Sequence, residues 1–433
     1  MEQDIEKRTL RRITWRIVPF IMLLYFIAYL DRVNIGFAAL TMKNDLGFTA
    51  SILGFGAGIF FWGYFLFEVP SNIVLHKVGA RLWIARVMVT WGVISGAMAF
   101  VEGPTSFYVM RFLLGAAEAG FFPGIILYLS YWFPARHRAG VTALFMAAAP
   151  ISTAMGSPIS AALLEMNGVM GLHGWQWMFV LEAIPALILG VVVFFYMTDK
   201  PEQARWLPDE ERAWLVKAMD DEAASKSNGA KHSILSGLAN PRVLALAMIY
   251  FGTSAGLYTL GIWAPQIIKQ LGVSSMTVGF LNAIPPIVSV VAMVLWSRHS
   301  DRTGERTWHV VLACIAASVG LVIAAAVNNV VGLIGALTLV NIGISCAKPP
   351  LWSMPTMFLS GAAAAAGIAT INSIGNLGGF AGPAMIGWVK DQTGSYAGGL
   401  YFVAGLLVLS AVLTLLLARS QKPNGELAEA AAH

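Results

Sequence analysis

Long apolar runs separated by short polar connections dominate the chain. A helix of roughly 20 apolar residues crosses the hydrocarbon core of a bilayer, which is about 30 Å thick, and each run reaches that length. The first run is longer than a signal-peptide core and lacks a cleavage site after it, which indicates an uncleaved span. The pattern predicts twelve membrane-spanning helices, near residues 16–40, 51–74, 82–101, 106–132, 139–164, 176–197, 243–267, 275–297, 308–327, 331–357, 363–388 and 397–418.

Composition supports a membrane protein. Hydrophobic residues make up 57% and charged residues 12% of the 433 positions, whereas soluble proteins carry roughly 25% charged residues. The mean hydropathy is +0.70. Cys314 and Cys346 lie in apolar runs, which favours buried small side chains over a disulfide or a metal site. The sequence shows no metal cluster, phosphate-binding loop or nucleophile constellation, so we expect no cofactor and no enzymatic activity.

The distribution of Lys and Arg indicates the orientation in the membrane. These residues are concentrated on one side of the predicted spans, and the other side carries only Lys43, Lys269 and Lys390. Cytoplasmic loops carry the excess of Lys and Arg. We therefore expect both termini and the segment 199–241 to lie in the cytoplasm. Topology accounts for the net charge of +5, so no nucleic-acid partner is expected.

Two connections share a basic, glycine-containing pattern at an offset of about 225 residues, and Gly-Pro features in spans 5 and 11 share that offset. The pattern predicts two homologous six-helix halves, 1–198 and 242–420. A cytoplasmic linker with an amphipathic helix, 199–241, joins them. A cytoplasmic tail, 421–433, follows, and its end from Glu426 to His433 looks disordered or partly vector-derived. Gly permits a tight bend and the cations can cap helix-end carbonyls in one conformation. We interpret these connections as gating loops, with membrane-anchoring charge as the alternative; their residues are Lys77, Gly79, Arg81, Asp301, Arg302, Gly304 and Arg306.

Several motifs lie along the predicted spans: Tyr29-Leu30-Asp31-Arg32-Val33-Asn34, Phe67-Glu68-Val69-Pro70-Ser71-Asn72, Arg111-Phe112-Leu113-Leu114-Gly115-Ala116-Ala117-Glu118-Ala119, Trp132-Phe133-Pro134, Trp177-Met178-Phe179-Val180-Leu181-Glu182 and residues 366–379. Together they resemble the major facilitator superfamily, and more narrowly its anion:cation symporter family. The resemblance covers essentially the whole chain, although His76 departs from the Asp that is usual in the first loop. It implies an all-α fold of twelve helices in two pseudo-symmetric halves, alternating access, a monomer in the bacterial inner membrane, and import of organic anions, usually with protons.

The predicted spans contain few charges. A charge at the bilayer centre costs about 2.5–3.5 kcal/mol on insertion scales, so such residues are expected to face a cavity and to have partners. A substrate carboxylate that recruits an Arg releases the acidic partner of that Arg to take up a proton. The resemblance implies that Asp31 and Glu118 carry protons, that Arg32 binds the anion and that Arg111 supports the proton site. The alternative is a permanent ion-pair network that stabilises helix packing.

Lys348 is the charged residue inside a span of the second half, where no acidic residue is an obvious partner. We hypothesise that Lys348 binds a second substrate carboxylate while Arg32 takes the first. The alternative is that Lys348 snorkels to the cytoplasmic surface. Glu68 and Glu182 are interpreted as structural or gate residues. Weaker candidates for contact with the substrate are Tyr29, Tyr64, Trp352, Asn372 and Asn376.

These observations together predict a proton-coupled symporter that imports a small organic anion, with a tartrate-like or phthalate-like dicarboxylate favoured. A monocarboxylate or sugar-acid proton symporter and an organic anion exchanger remain alternatives. A membrane-embedded enzyme or a sensor would need a catalytic cluster or an output domain, and the sequence has neither. The expected partners are the organic anion, protons and the lipid bilayer.

Overall fold

Helices make up almost all of the computed structural model, which describes residues 2–227, 240–355 and 361–419. The predicted tail lies outside these residues, as does the linker between 228 and 239. The α-helices within the described ranges are α1 Glu2–Asp45, α2 Ala50–Val78, α3 Ala80–Ala97, α4 Pro104–Glu118, α5 Phe121–Trp132, α6 Ala135–Met146, α7 Ala148–Leu164, α8 Gly174–Tyr196, α9 Asp209–Ser227, α10 Pro241–Lys269, α11 Ser275–Thr303, α12 Thr307–Ala326, α13 Val330–Ser353, α14 Gly361–Asn376, α15 Gly378–Thr393 and α16 Ala397–Arg419.

The apolar runs of the sequence are confirmed as helices. Among the described residues, 11 helical stretches are long and apolar enough to cross a membrane. The remaining predicted span, 363–388, is covered by α14 and α15, each 16 residues long and separated at Leu377. In the predicted linker, α9 begins at Asp209, and its first turn is acidic. The all-helical membrane fold expected from the sequence is therefore present.

The predicted span 106–132 is interrupted just after Glu118. Ala119 leaves the helix with ψ 132° and Gly120 has φ +90°, a conformation that favours glycine. Ser71 Oγ donates a hydrogen bond of 2.7 Å to the carbonyl of Ala119, and a Cβ on Gly120 would lie 2.1 Å from that same Oγ. The break leaves Glu118 at the C-terminal end of α4, where the helix dipole disfavours a carboxylate. Glu118 therefore needs a cation nearby.

The helices form two compact units, and the first contains the described part of 1–230 together with 261–283. In this unit α1 packs along α7 and α8, α2 along α4, and α3 along α8. The segment 261–283 is the end of α10 and the start of α11. Gln266 Nε2 donates to the carbonyl of Gly36 at 3.3 Å, and Asn282 Nδ2 donates to Ser157 Oγ at 3.0 Å. Polar contacts thus fasten this segment into the first unit.

The second unit contains the other described residues between 240 and 419. In it α12 packs along α13 and α16. A Cβ on Gly343 would lie 2.4 Å from the carbonyl oxygen of Ala313, so α12 and α13 touch through their backbones. Cys314 and Cys346 are free and buried in the core of this unit, as the sequence predicted.

Glycines also bring the backbones of α2 and α4 together. A Cβ on Gly115 would lie 1.9 Å from the carbonyl oxygen of Phe60, and one on Gly63 would lie 2.2 Å from that of Phe112. Small residues allow close approach of helices in a membrane, where van der Waals packing drives helix association. This approach places the polar residues of α4 next to α2.

The connection between α2 and α3 turns at Gly79, which has φ +92°. Asp199, just after α8, accepts a hydrogen bond of 2.7 Å from Arg81 N at the start of α3. Its other oxygen lies 3.8 Å from Arg81 Nε. A carboxylate is favourable at a helix N-terminus. Asp199 therefore supplies an acidic group to this loop, whose own sequence carries His76 instead.

The connection between α11 and α12 turns at Gly304, which has φ +68°. Glu305 accepts hydrogen bonds from the backbone N–H groups of Trp308, at 2.8 Å, and His309, at 3.3 Å. The His309 ring lies 2.9 Å from the same carboxylate. Although partial burial opposes the effect, these hydrogen bonds hold the pKa of Glu305 below its ordinary value. This loop thus carries its own acidic helix cap.

Glu305→Gln tests the cap of α12. The variant should unfold at a lower temperature at pH 7, because a neutral acceptor caps the helix more weakly, by about 1 kcal/mol. A carboxylate with a depressed folded-state pKa contributes stability above its unfolded pKa and loses it as the pH falls through the folded pKa. The difference in Tm should therefore shrink below pH 4.5, the ordinary pKa of Glu. Thermal unfolding in detergent from pH 7.5 to pH 4 would measure it, with the exposed Glu165→Gln as control. A difference that does not change with pH would contradict this account.

Gly115→Ala tests the contact between α2 and α4. A methyl group 1.9 Å from Phe60 O must push the helices apart, so we expect a loss of about 2 kcal/mol or more and a lower Tm. Gly405→Ala in α16 is the matched control, because nothing lies within 4 Å of its Cβ position. That control should be neutral or stabilising. Equal Tm values for the two variants would show that the backbones do not touch.

Candidate functional site

A buried ion pair joins α1 to α4. Arg32 Nε lies 2.7 Å from Glu118 Oε1, and the two side chains are only 9% and 2% exposed. The Arg32 guanidinium carbon also lies 5.2 Å from the centre of the Tyr64 ring of α2, within cation–π distance. A charge-assisted hydrogen bond compensates two charges that would each be costly alone at this burial. The structure thus brings together the predicted residues Arg32, Tyr64 and Glu118.

Arg111 holds α4 against α2 beside this pair. Its Nη2 donates to the carbonyl of Ala57 at 3.1 Å and its Nε to that of Gly56 at 3.4 Å. The guanidinium carbon lies 5.0 Å from the Phe60 ring. Arg111 forms no ion pair with any residue of the described chain, although its charge acts on Glu118. Its contacts are those of a residue that supports the site through the backbone of a neighbouring helix.

Asp31, which is next to Arg32 in sequence, has different partners from Arg32. Its carboxylate accepts hydrogen bonds from Trp91 Nε1 at 2.6 Å, Ser95 Oγ at 2.8 Å and Asn34 Nδ2 at 3.3 Å. The residue is 3% exposed. The structure therefore pairs Arg32 with Glu118 rather than with Asp31, and it surrounds Asp31 with uncharged donors from α1 and α3.

A second buried carboxylate adjoins Asp31. Glu182 of α8 is 3% exposed, and its Oε1 accepts a hydrogen bond of 2.6 Å from Ser160 Oγ. Its Oε2 has no hydrogen-bond partner among the described residues. Asp31 and Asn34 are its electrostatic neighbours. Two acidic groups in one buried region repel each other when both are ionised.

The partners of these carboxylates were not predicted from the sequence. Trp91 and Ser95 lie one turn apart in α3, and a pair of hydrogen-bond donors on one face of an apolar helix is a signal that could have indicated them. Tyr29, which was a candidate, is 7% exposed and packs 6.0 Å from the ring of Tyr25.

In the second unit, Lys348 lies inside α13, directly before Pro349 and Pro350. Its side chain is half-buried and forms no ion pair with any residue that the structure describes. The prolines remove backbone hydrogen bonds of the helix at this level. One turn further along, Trp352 packs edge-on against Tyr250, with 5.0 Å between ring centres.

Tyr250 reaches Trp352 because a glycine makes room for it. A Cβ on Gly375 in α14 would lie 2.1 Å from Tyr250 Cδ1. The predicted residues Asn372 and Asn376 lie on either side of this glycine in sequence, both half-buried, and α14 ends at Asn376. Tyr250 was not predicted from the sequence, although the offset of about 225 residues between the two predicted halves relates it to Tyr25.

The predicted gating loops lie at the ends of their helices. Lys77 and Arg302 are exposed, and Arg306 Nη1 lies 2.7 Å from Asp301 Oδ1. The first loop takes its acidic partner from Asp199 in another segment, whereas the second finds Asp301 within itself. Among the described residues no group of three His, Cys, Asp or Glu side chains is arranged to hold a metal ion.

Comparisons with known proteins agree with this architecture. The family described as Major Facilitator Superfamily matches residues 21–383. Two proteins of Agrobacterium vitis, each named "Putative tartrate transporter", are 74% and 72% identical to the chain; the alignments cover 96% and 98% of this chain and 93% and 98% of theirs. The inner membrane transport protein RhmT of Escherichia coli K12 is 40% identical, over 93% of each chain.

Solved structures share the fold at low sequence identity. A bacterial homologue of the human lysosomal transporter Spinster superposes with a TM-score of 0.76 at 14% identity, covering 94% of this chain and 97% of that one. The D-xylose-proton symporter gives a TM-score of 0.73 at 15% identity, with 92% and 97% covered. At this identity they show the fold alone. The family match and the relatives confirm the resemblance seen in the sequence, and the chain belongs to the Major Facilitator Superfamily of multi-pass membrane transporters.

Proposed function

We propose that the protein is a proton-coupled symporter that imports a small dicarboxylate, tartrate-like in chemistry, by alternating access. It would act as a monomer in the bacterial inner membrane with both termini in the cytoplasm. The observation that carries the proposal is the buried contact of 2.7 Å between Arg32 Nε and Glu118 Oε1. It places an anion-binding group and a proton-binding group in direct competition.

The names of the relatives favour a hydroxy dicarboxylate. The two relatives named for tartrate are 74% and 72% identical to this chain, whereas relatives at 40% include one named a quinolone resistance transporter, from Acinetobacter baumannii. Names in the superfamily thus differ widely at 40% identity. The proposed tartrate-like substrate rests on the much higher identity of the first two.

Proton coupling follows from the cost of an unpaired buried charge. An incoming carboxylate competes with Glu118 for the Arg32 guanidinium. Glu118 is 1% exposed and lies at a helix C-terminus, so it would lose its hydrogen-bonded cation in a buried position when Arg32 turns to the substrate. Ionised carboxylates are unfavourable in such surroundings and bind a proton instead. The loaded carrier would therefore hold the anion and a proton together, and Asp31 would carry a further proton in its own pocket.

The second carboxylate of the substrate is assigned to Lys348. This lysine forms no ion pair within the described chain, and a cation without an anion inside a span marks a functional site. Trp352, Asn372 and Asn376 would line the same pole. Arg111 would support the ion pair by holding α4 against the carbonyls of α2. The two glycine turns would gate access through their Asp partners.

Lys348→Ala tests the second pole. Proteoliposome uptake of tartrate, succinate, phthalate, benzoate and a sugar acid should be measured with and without an inward proton gradient. We expect dicarboxylate uptake to fall at least tenfold, equivalent to about 1.4 kcal/mol, while any uptake of benzoate survives. Lys390→Ala, a lysine at the end of α15, is the matched control and should transport like wild type. If Lys348→Ala took up tartrate at the wild-type rate, that result would contradict the assignment of the second carboxylate to Lys348.

Glu118→Gln tests the coupling. The variant keeps the side-chain shape but cannot carry a proton, so the proton gradient should stimulate tartrate uptake less than twofold, while counterflow of tartrate without a gradient persists. The exposed Glu165→Gln should retain full stimulation. Asp31→Asn should also lose stimulation, and its Tm shows whether the bonds to Trp91 and Ser95 survive. Undiminished stimulation in both Glu118→Gln and Asp31→Asn would leave an anion exchanger or uniporter as the explanation.

A further inference from the structure

A cleft lies beside the N-terminal part of α1, where this helix meets the end of α8 and the segment before α9. It has a volume of about 480 Å³, and all of its lining residues belong to the first unit. We call it the arginine cleft; its lining residues are Arg8, Arg11, Arg12, Trp15, Arg16, Tyr196 and Trp206.

Aromatic rings hold one of these arginines in place. The Arg16 guanidinium carbon lies 4.5 Å from the centre of the Tyr196 ring and 4.6 Å from that of Trp206. Tyr196 also donates its hydroxyl hydrogen to the backbone carbonyl of Arg16 at 3.2 Å. These cation–π contacts use none of the guanidinium N–H donors, which can still bind an acceptor. The entropy cost of ordering this arginine has therefore been met before any ligand arrives.

The cleft keeps an excess of positive charge. Arg8 and Arg12 pair with Glu210 and Glu211 of α9, at 3.6 Å and 3.3 Å. Arg11 and Arg16 form no ion pair with any residue of the described ranges. Guanidinium groups bind phosphate oxygens through paired N–H donors, so two of them in one cleft suit a phosphate group.

Apolar surface continues from the cleft along the spans. Trp15 is 75% exposed and Phe195, next to Tyr196, is 78% exposed; Leu23, two turns further along α1, is 45% exposed. Such residues on a membrane helix face lipid, and Trp and Tyr concentrate at the membrane interface. A free phosphate ion gains nothing from this surface, whereas acyl chains attached to the phosphate would lie on it.

We propose that the arginine cleft binds the phosphate of an anionic phospholipid, with Arg11 and Arg16 as its ligands and Trp15 beside the glycerol region. The lysine and arginine bias predicts that this end of α1 is cytoplasmic, the side on which anionic lipids attract basic segments. The bound lipid fastens α1 to α8 and to the segment that holds Trp206. This site is independent of the proposed substrate and of proton coupling.

Native mass spectrometry of the full-length protein in detergent tests the proposal. Phosphatidylglycerol and phosphatidylethanolamine of the same acyl composition should be titrated separately, with inorganic phosphate as a third probe. We expect phosphatidylglycerol to bind at least tenfold more tightly than phosphatidylethanolamine and to raise the Tm, and millimolar phosphate to do neither. In Arg11→Gln/Arg16→Gln the preference should disappear.

The control variant must remove the same number of positive charges from residues that do not line the cleft. Lys7→Gln/Lys217→Gln changes two exposed lysines of α1 and α9 that do not line the cleft, and it should keep the tenfold preference. If the double arginine variant does not fold, Arg11→Gln alone should reduce the preference at least threefold. Equal affinity of the two lipids for wild type, or an unchanged preference in the arginine variants, would overturn the proposal. A rise in Tm with inorganic phosphate that depends on Arg11 and Arg16 would assign the cleft to soluble phosphate instead and would overturn it too.

Discussion

The first unit buries ionised side chains in a medium of low dielectric constant, where the free-energy cost of an uncompensated charge is high. Glu118 ends α4 at a position where both burial and the helix dipole act against a carboxylate, and Arg32 compensates it at 2.7 Å. This contact joins α1 to α4, while the glycines at 63 and 115 bring α2 against α4. Arg111 ties α4 to the carbonyls of α2. The ion pair, the glycine contacts and Arg111 thus all act on α4, the helix that carries Glu118.

The sequence predicted the helices well because hydropathy depends on each segment alone. Twelve apolar runs indicated twelve crossings, and the structure has helices at all of them. The interruptions were not predicted, because each depends on a residue far away in sequence. At the break after Glu118, Ser71 donates a hydrogen bond to the carbonyl of Ala119. At the break at Leu377, the backbone of the next residue packs against α10, because a Cβ on Gly378 would lie 2.1 Å from the carbonyl oxygen of Phe251. Neither contact leaves a periodic signal in its own segment.

The candidate site was predictable in its charges and less so in its partners. A charged side chain inside a membrane needs a partner that compensates its charge, so Arg32 and Glu118 could be named from their residue types. Trp91 and Ser95 are ordinary residues of an apolar helix until Asp31 is placed beside them. Similarly, His76 in the first loop stands where an Asp is usual, which indicated that the loop lacks its acidic residue. Nothing in the sequence indicated that Asp199 would supply a carboxylate there. Long-range packing determines such pairs.

The length of α1 has a mechanical consequence. Its 44 residues at about 1.5 Å each make a rod of about 66 Å, roughly twice the thickness of the hydrocarbon core. Its far end is anchored where Trp175 donates to Asp45 at 3.0 Å, and Arg32 lies well along its course. One continuous helix therefore connects Arg32, inside the bilayer, mechanically to the arginine cleft at the membrane surface.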